Sequence, residues 1–168
     1  MQNSTDRAMN VKTPLGCVVN IGGVWTIAWS GAAFVLQKTP AADTSYLQMP
    51  ILTILNPQEG KGARLVSVDC HFVNTVADLT SLTAYFYKAV LPPTWGVLAR
   101  STVAFTYDTG NDTAAERRSQ RVSRLTATLD IPAYPVSNED WHFELEIISP
   151  ANSEFQLYGF VANYVIRD

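Results

Sequence analysis

The residues best equipped for chemistry come in two pairs. Asp69 and His71 stand two apart within Val66–Phe72, and His142 and Glu144 stand two apart within Trp141–Ile147. Residues two apart on an extended strand share one face. Carboxylate and imidazole are common ligands of zinc and other divalent ions. Asp69, His71, His142 and Glu144 could therefore hold a metal if their two strands were neighbours. A solvated face carrying scattered polar groups is the simpler reading, and the cofactor expected is none. Glu144 and Glu146 form a second constellation. Glycosidases use two carboxylates roughly 5–9 Å apart across the scissile bond. Cross-strand pairing with Arg121 or Arg124 gives these two a simpler role, so no catalytic residue is assigned.

Other reactive patterns are missing. Gly60-Lys61-Gly62 lacks the upstream glycine and the Ser/Thr of a phosphate-binding loop. There is no GxSxG elbow and no HExxH pair. With only two histidines, a His-dependent triad must use His71 or His142. Each sits mid-strand at an outward position, with no serine motif beside it.

The elements that carry these residues read as strands. Leu125, Ala127, Leu129 and Ile131 alternate with Arg124, Thr126, Thr128 and Asp130. Trp141, Phe143, Leu145 and Ile147 alternate with His142, Glu144 and Glu146. A period of two with one dry face marks antiparallel sheet. Val66, Val68, Cys70 and Phe72 form another such face. Leu82, Ala84 and Phe86 oppose Tyr85 and Tyr87, and Val103, Phe105 and Tyr107 make one more strand. Thr113-Ala114-Ala115-Glu116 fits a capping box opening a short helix. Phe155 to Ile166 is apolar on both sides, which predicts a strand covered by its own layers or by another subunit. About six strands after residue 62 and about two to four before it predict an all-β fold, a two-sheet antiparallel sandwich of jelly-roll or Greek-key type.

The first 62 residues differ. They hold six of the nine glycines and read as an N-terminal arm with edge strands, an attachment or assembly element; residues 63–168 read as the sandwich domain. At 168 residues the chain can bury a sizeable core without a disulfide or metal. The charged fraction is only 16%, so much of the surface is neutral or apolar and suited to contact with another chain. A net charge of −3 with no broad basic patch argues against wrapping nucleic acid. No signal peptide is legible and no apolar run reaches the length of a membrane span. Cys70 reads as a buried free thiol, with a Cys17–Cys70 bridge left open.

Aromatic residues could stack on sugars or fill a core and an interface. Trp95, in a Pro/Gly loop, is the best placed for glycan or partner contact. Trp25, Trp29, Tyr158, Phe160 and Tyr164 are candidate subunit-interface residues.

The run TYDTGNDTAAERR, then RLTATLDIP, NEDWHFELEI and FQLYGFVANY, resembles β-sandwich modules of bacteriophage structural proteins: head fibres, tail spikes and capsid-decorating proteins. The resemblance implies a non-enzymatic virion component, made in the host cytoplasm, commonly a homotrimer that contacts other virion proteins. It brings no catalytic residues. The alternative expectation is a carbohydrate-binding sandwich using exposed aromatics, and a hydrolase ranks last.

Overall fold

The computed structural model describes residues 7–31, 33–51, 63–90, 99–135 and 138–166. Alternating apolar and polar residues drive most of this backbone into strands: β1 (Arg7–Thr13), β2 (Val19–Ile21), β3 (Trp25–Trp29), β4 (Phe34–Lys38), β5 (Asp43–Ile51), β6 (Ala63–Thr75), β7 (Ser81–Val90), β8 (Ala99–Val103), β9 (Phe105–Tyr107), β10 (Arg121–Ala133), β11 (Glu139–Ser149) and β12 (Glu154–Ile166). A 3-10 turn (Leu15–Cys17) and one α-helix, α1 (Ala114–Arg118), interrupt them among the described residues, the α-helix opened by the expected capping box in which Thr113 and Glu116 satisfy each other's backbone N–H.

Two antiparallel sheets result. The seven-stranded sheet runs β3-β4-β12-β6-β10-β9, with β1 also on β12; the five-stranded sheet runs β2-β5-β11-β7-β8. The chain crosses from one sheet to the other between β4 and β5, β5 and β6, and β6 and β7, as expected of a jelly-roll-like sandwich rather than a meander. The inner faces meet through aromatic rings. Phe143 of β11 lies 5.0 Å from Phe86 and 5.6 Å from Phe160, which joins the two layers, and Phe72 stacks on Phe155 at 5.2 Å. Edge-to-face and offset pairs of this kind are worth about 0.5–1.5 kcal/mol beyond the area they bury.

The last strand corrects the expectation of a doubly apolar face. Leu157 pairs with Phe72 and Gly159 with His71, so Tyr158 is an extra residue in a β-bulge. The bulge flips the phase of the strand. Phe155 and Leu157 point inward before it, Phe160, Ala162 and Tyr164 after it, and all five are buried in their own subunit. The buried apolar residues thus share the inner face, Tyr158, Val161 and Val165 lie on the outer one, and Phe160 and Tyr164 are core residues rather than interface residues. Gly159 takes a φ of +148°, which a side chain makes costly. Gly159→Ala is expected to lose about 1–3 kcal/mol in urea unfolding. Gly16→Ala, open on every side and without a positive φ, should leave the midpoint nearly unchanged.

The described part of residues 1–62 is not an arm. β1, β3 and β4 belong to the seven-stranded sheet, and β2 and β5 to the five-stranded one, so this third of the chain completes the sandwich. Its apolar residues (Leu36, Leu47, Met49, Ile51) enter the same core. The Val103–Tyr107 run is also divided. β8 pairs with β7 in one sheet and β9 with β10 in the other, the chain changing sheets at Ala104. Ile131 leaves the dry face because the register of β10 slips between Thr128 and Ala133.

Both cysteines are free. Cys70 is the buried thiol expected, and burial pushes its pKa well up, which keeps it protonated and unreactive. Among the described residues no helix is long and apolar enough to cross a membrane.

Candidate functional site

β11 runs between β5 and β7 at the centre of the five-stranded sheet. Its inward residues fill the core, which forces His142, Glu144 and Glu146 onto the outer face. Register then decides their neighbours. Gln48 and Tyr85 flank Glu144, Tyr46 and Thr83 flank Glu146, and Pro50 and Tyr87 flank His142. Arg100 of β8 reaches in from the side.

These groups form a connected grid. Tyr46 donates its phenol to Glu146 Oε1 at 3.1 Å, and Tyr85 donates to Oε2 at 3.2 Å. Gln48 Nε2 donates to Glu144 Oε2 at 2.6 Å, and Arg100 Nη2 pairs with the same oxygen at 3.5 Å. The Arg100 guanidinium also lies 3.4 Å from the centroid of Tyr87, within cation–π range. Tyr87 stacks beside Tyr85 at 5.8 Å and beside His142 at 5.2 Å. Glu144 is buried by its neighbours, whereas the phenol rings stay partly open to solvent.

The electrostatics fix the protonation states. Burial, then the charge and hydrogen bond of Glu146, push the Tyr85 phenol up to about 12. The hydrogen bond to Glu146 raises Tyr46. Burial and Glu144 raise Tyr87, against the opposing pull of Arg100. All three phenols therefore stay protonated through neutral pH as fixed donors. Burial, helped by Arg100 and opposed by Asp140 and Glu144, lowers His142 below its ordinary 6.5. The folded chain thus binds this proton more weakly than the unfolded chain. The stability from the neutral ring is full above 6.5 and is lost as pH falls through the folded midpoint. In an NMR titration the His142 ring protons should show a midpoint below 6.5; a midpoint above it would contradict this environment.

The four candidate metal ligands do not converge. Asp69 and His71 lie on β6 of the seven-stranded sheet and point outward, while His142 and Glu144 point outward from the other sheet. The whole core separates the pairs. No group of three or more potential ligands occurs among the described residues. Asp69 instead accepts from Thr126 Oγ1 at 2.6 Å and Asn163 Nδ2 at 3.2 Å.

The expected partners of Glu144 and Glu146 are likewise replaced. Arg121 and Arg124 lie on β10 in the opposite sheet, where Arg121 donates to Asn111 Oδ1. Trp95 falls outside the described residues. Trp25 packs edge-on against Phe155 at 6.2 Å, so it is half core. Trp29 is exposed beside Phe34, and Tyr158 lies on the outer face of the seven-stranded sheet.

Sequence reasoning missed Tyr46, Gln48 and Arg100. The alternation Tyr46-Leu47-Gln48-Met49 carried the signal, because it sets a phenol and an amide opposite an apolar face.

No family model matches the chain, and no curated protein is similar to it in sequence. Several solved structures are distantly similar in shape, among them these two. One is TmCBM61 in complex with β-1,4-galactotriose, with 8% identity, a TM-score of 0.38, 96% of this chain covered and 88% of that chain. The other is the Agl-KA catalytic domain, with 15% identity, a TM-score of 0.39 and 95% of this chain covered. This chain spans 28% of the length of that second structure. At these scores neither carries an argument about ligand or activity.

Proposed function

We propose that this chain is a carbohydrate-binding β-sandwich module, with its ligand lying across Tyr46, Tyr85 and Tyr87 on the outer face of the five-stranded sheet. The observation that carries this is the Tyr46–Glu146–Tyr85 and Gln48–Glu144–Arg100 grid. A sugar presents hydroxyls that both donate and accept, and C–H faces that pack on rings. The grid offers both kinds of contact on one rigid surface: the remaining lone pairs of the phenols and of Glu146 as acceptors, the remaining N–H groups of Gln48 and Arg100 as donors, and ring bodies between them. The groups are held by strand register and by one another, so little side-chain freedom is lost when a ligand docks. The phenols remain protonated, and both carboxylates are already occupied by donors. That arrangement suits binding better than proton transfer, so the proposal is a non-enzymatic one.

A face open on one side supports a Kd of roughly 0.1 mM, about −5.5 kcal/mol. A glycan array probed with the full chain is expected to show neutral oligosaccharides bound. Binding to the same sugars should fall at least tenfold in Tyr87→Ala and in Glu146→Gln. No array binding, or equal binding by both variants, would remove the proposal.

One observation favours a second reading, self-association of the chain. The β3–β4 hairpin carries Ile27, Trp29 and Phe34, each more than 60% exposed, in a row that continues the buried line of Leu36. In that reading a second copy covers this overhang. The buried β12 no longer supports assembly, so the hairpin stands alone. Sedimentation should then show an oligomer that dissociates in Trp29→Ser; a monomeric parent chain would remove this reading.

A further inference from the structure

The outer face of the seven-stranded sheet, on the far side of the core from the tyrosine grid, holds a pocket of 680 Å³. That is the size of a small-molecule site. Its origin is the β12 bulge. With Tyr158 as the extra residue and no side chain on Gly159, the strand opens a depression at its centre, and the stem of Lys12 passes over it. The position a Gly159 Cβ would take is 3.5 Å from Lys12 Cε.

The charges around this depression are one-sided. Lys12 comes from β1, His71 from β6 and Arg124 from β10, three strands that the sheet order brings around β12. Arg124 is the direct cross-strand neighbour of His71, and Gly159 is its neighbour on the other side. None of the Lys12, His71 and Arg124 side chains makes a hydrogen bond or ion pair with another described group. Among the described residues no carboxylate lines the pocket. The nearest acid along the face, Asp69, already accepts from Thr126 and Asn163. In a chain of net charge −3, two permanent cations and an imidazole gathered without a counter-ion are unusual. Tyr158, Val122 and Val161 supply an apolar wall beside them.

We propose that this pocket binds a small ligand carrying an oxyanion, a carboxylate or a phosphate or sulfate ester, with the rest of the ligand against Tyr158 and Val161. The guanidinium of Arg124 offers the planar, two-pronged donor set that oxyanions fit, Lys12 adds a flexible point charge, and the His71 ring adds a further N–H. The site is independent of the glycan face, because none of its residues lies on the five-stranded sheet.

NMR titration of the full chain tests this with four probes: glucuronate, inorganic phosphate, inorganic sulfate and neutral glucose. The oxyanions are expected to shift the Gly159 and His71 amides along a saturable curve, and glucose is expected not to. Saturation by glucuronate alone assigns the carboxylate source, and saturation by phosphate or sulfate assigns the ester. Arg124→Gln and Lys12→Gln, both at exposed positions, should each weaken that binding at least fivefold without moving the Tyr85 and Tyr87 amides. No saturable shift at roughly 10 mM, where even a Kd of about 1 mM gives nine-tenths occupancy, would overturn the proposal. So would equal affinity in the two variants. Either failure leaves the Tyr85 face, and the glycan reading, untouched.

Discussion

Lys38→Ala is expected to remove about 3–5 kcal/mol of stability, read as a lower urea midpoint at unchanged slope. Lys38 is fully buried, an unusual place for an ammonium group. Its Nζ pairs with Asp43 Oδ1 at 2.8 Å and donates to the Ala41 and Thr39 carbonyls at 3.1 and 3.2 Å. Residues 39–42 carry the chain from β4 in one sheet to β5 in the other, so this one side chain ties the crossover together. Asp43 also accepts from Ser45 and Ser149. Truncating Lys38 leaves two carbonyls and that carboxylate, itself 24% exposed, short of a donor. Removing both charges should cost less, since no ion is then uncompensated. Lys38→Met combined with Asp43→Asn is therefore expected to lie between the parent chain and Lys38→Ala. A loss below about 1 kcal/mol for Lys38→Ala would contradict the account of this crossover.

Phe143→Ala is expected to cost about 3–5 kcal/mol in the same measurement. Phe143 is fully buried and touches Phe86 on its own sheet and Phe160 on the other. Truncation empties the centre of the sandwich, and the rigid sheets can collapse into the gap only in part. The effect should reach the tyrosine grid as well, because Phe143 lies between His142 and Glu144 on β11 and fixes the pitch of that strand. Phe143→Leu, which keeps most of the volume, should cost about 1.5 kcal/mol or less. Equal losses for the two substitutions would show that the volume of the ring is not what matters.

Much of the architecture was legible because strand alternation reports directly on which face is dry. β10 and β11 carry that pattern cleanly, and the Thr113–Glu116 cap needed only local spacing. Three things broke the reading. The bulge at Tyr158 shifts the phase of β12 by one residue, which looks from sequence like two apolar faces. The passage from β8 to β9 occurs inside what reads as one alternating run. The glycine-rich first third suggests an extended arm, although its short apolar runs are edge and inner strands that need the rest of the chain to pair with. Each depends on contacts distant in sequence, which local pattern does not encode.

The candidate site was half visible for the same reason. His142, Glu144 and Glu146 could be placed on one outer face, but their partners could not. Tyr46 and Gln48 lie about a hundred residues away and Arg100 more than forty. Arg121 and Arg124, the partners that the sequence suggests for Glu144 and Glu146, belong to the other sheet; Arg100 pairs with Glu144, and Tyr46 and Tyr85 bond Glu146. The joining of Asp69 and His71 with His142 and Glu144 failed because same-face logic within a strand does not say which sheet the strand joins. Once the register is known, the carboxylate pair becomes a hydrogen-bonded platform rather than two free acids.

The central claim, that a glycan lies on the tyrosine grid, is tested most directly by mapping amide shifts on the full chain. The probe is an oligosaccharide selected from the array. The account predicts perturbations confined to Tyr46, Gln48, Tyr85, Tyr87, Arg100, His142, Glu144 and Glu146 and their immediate neighbours. Perturbations centred on the β3–β4 hairpin or on the opposite sheet, with this face unmoved, would contradict it.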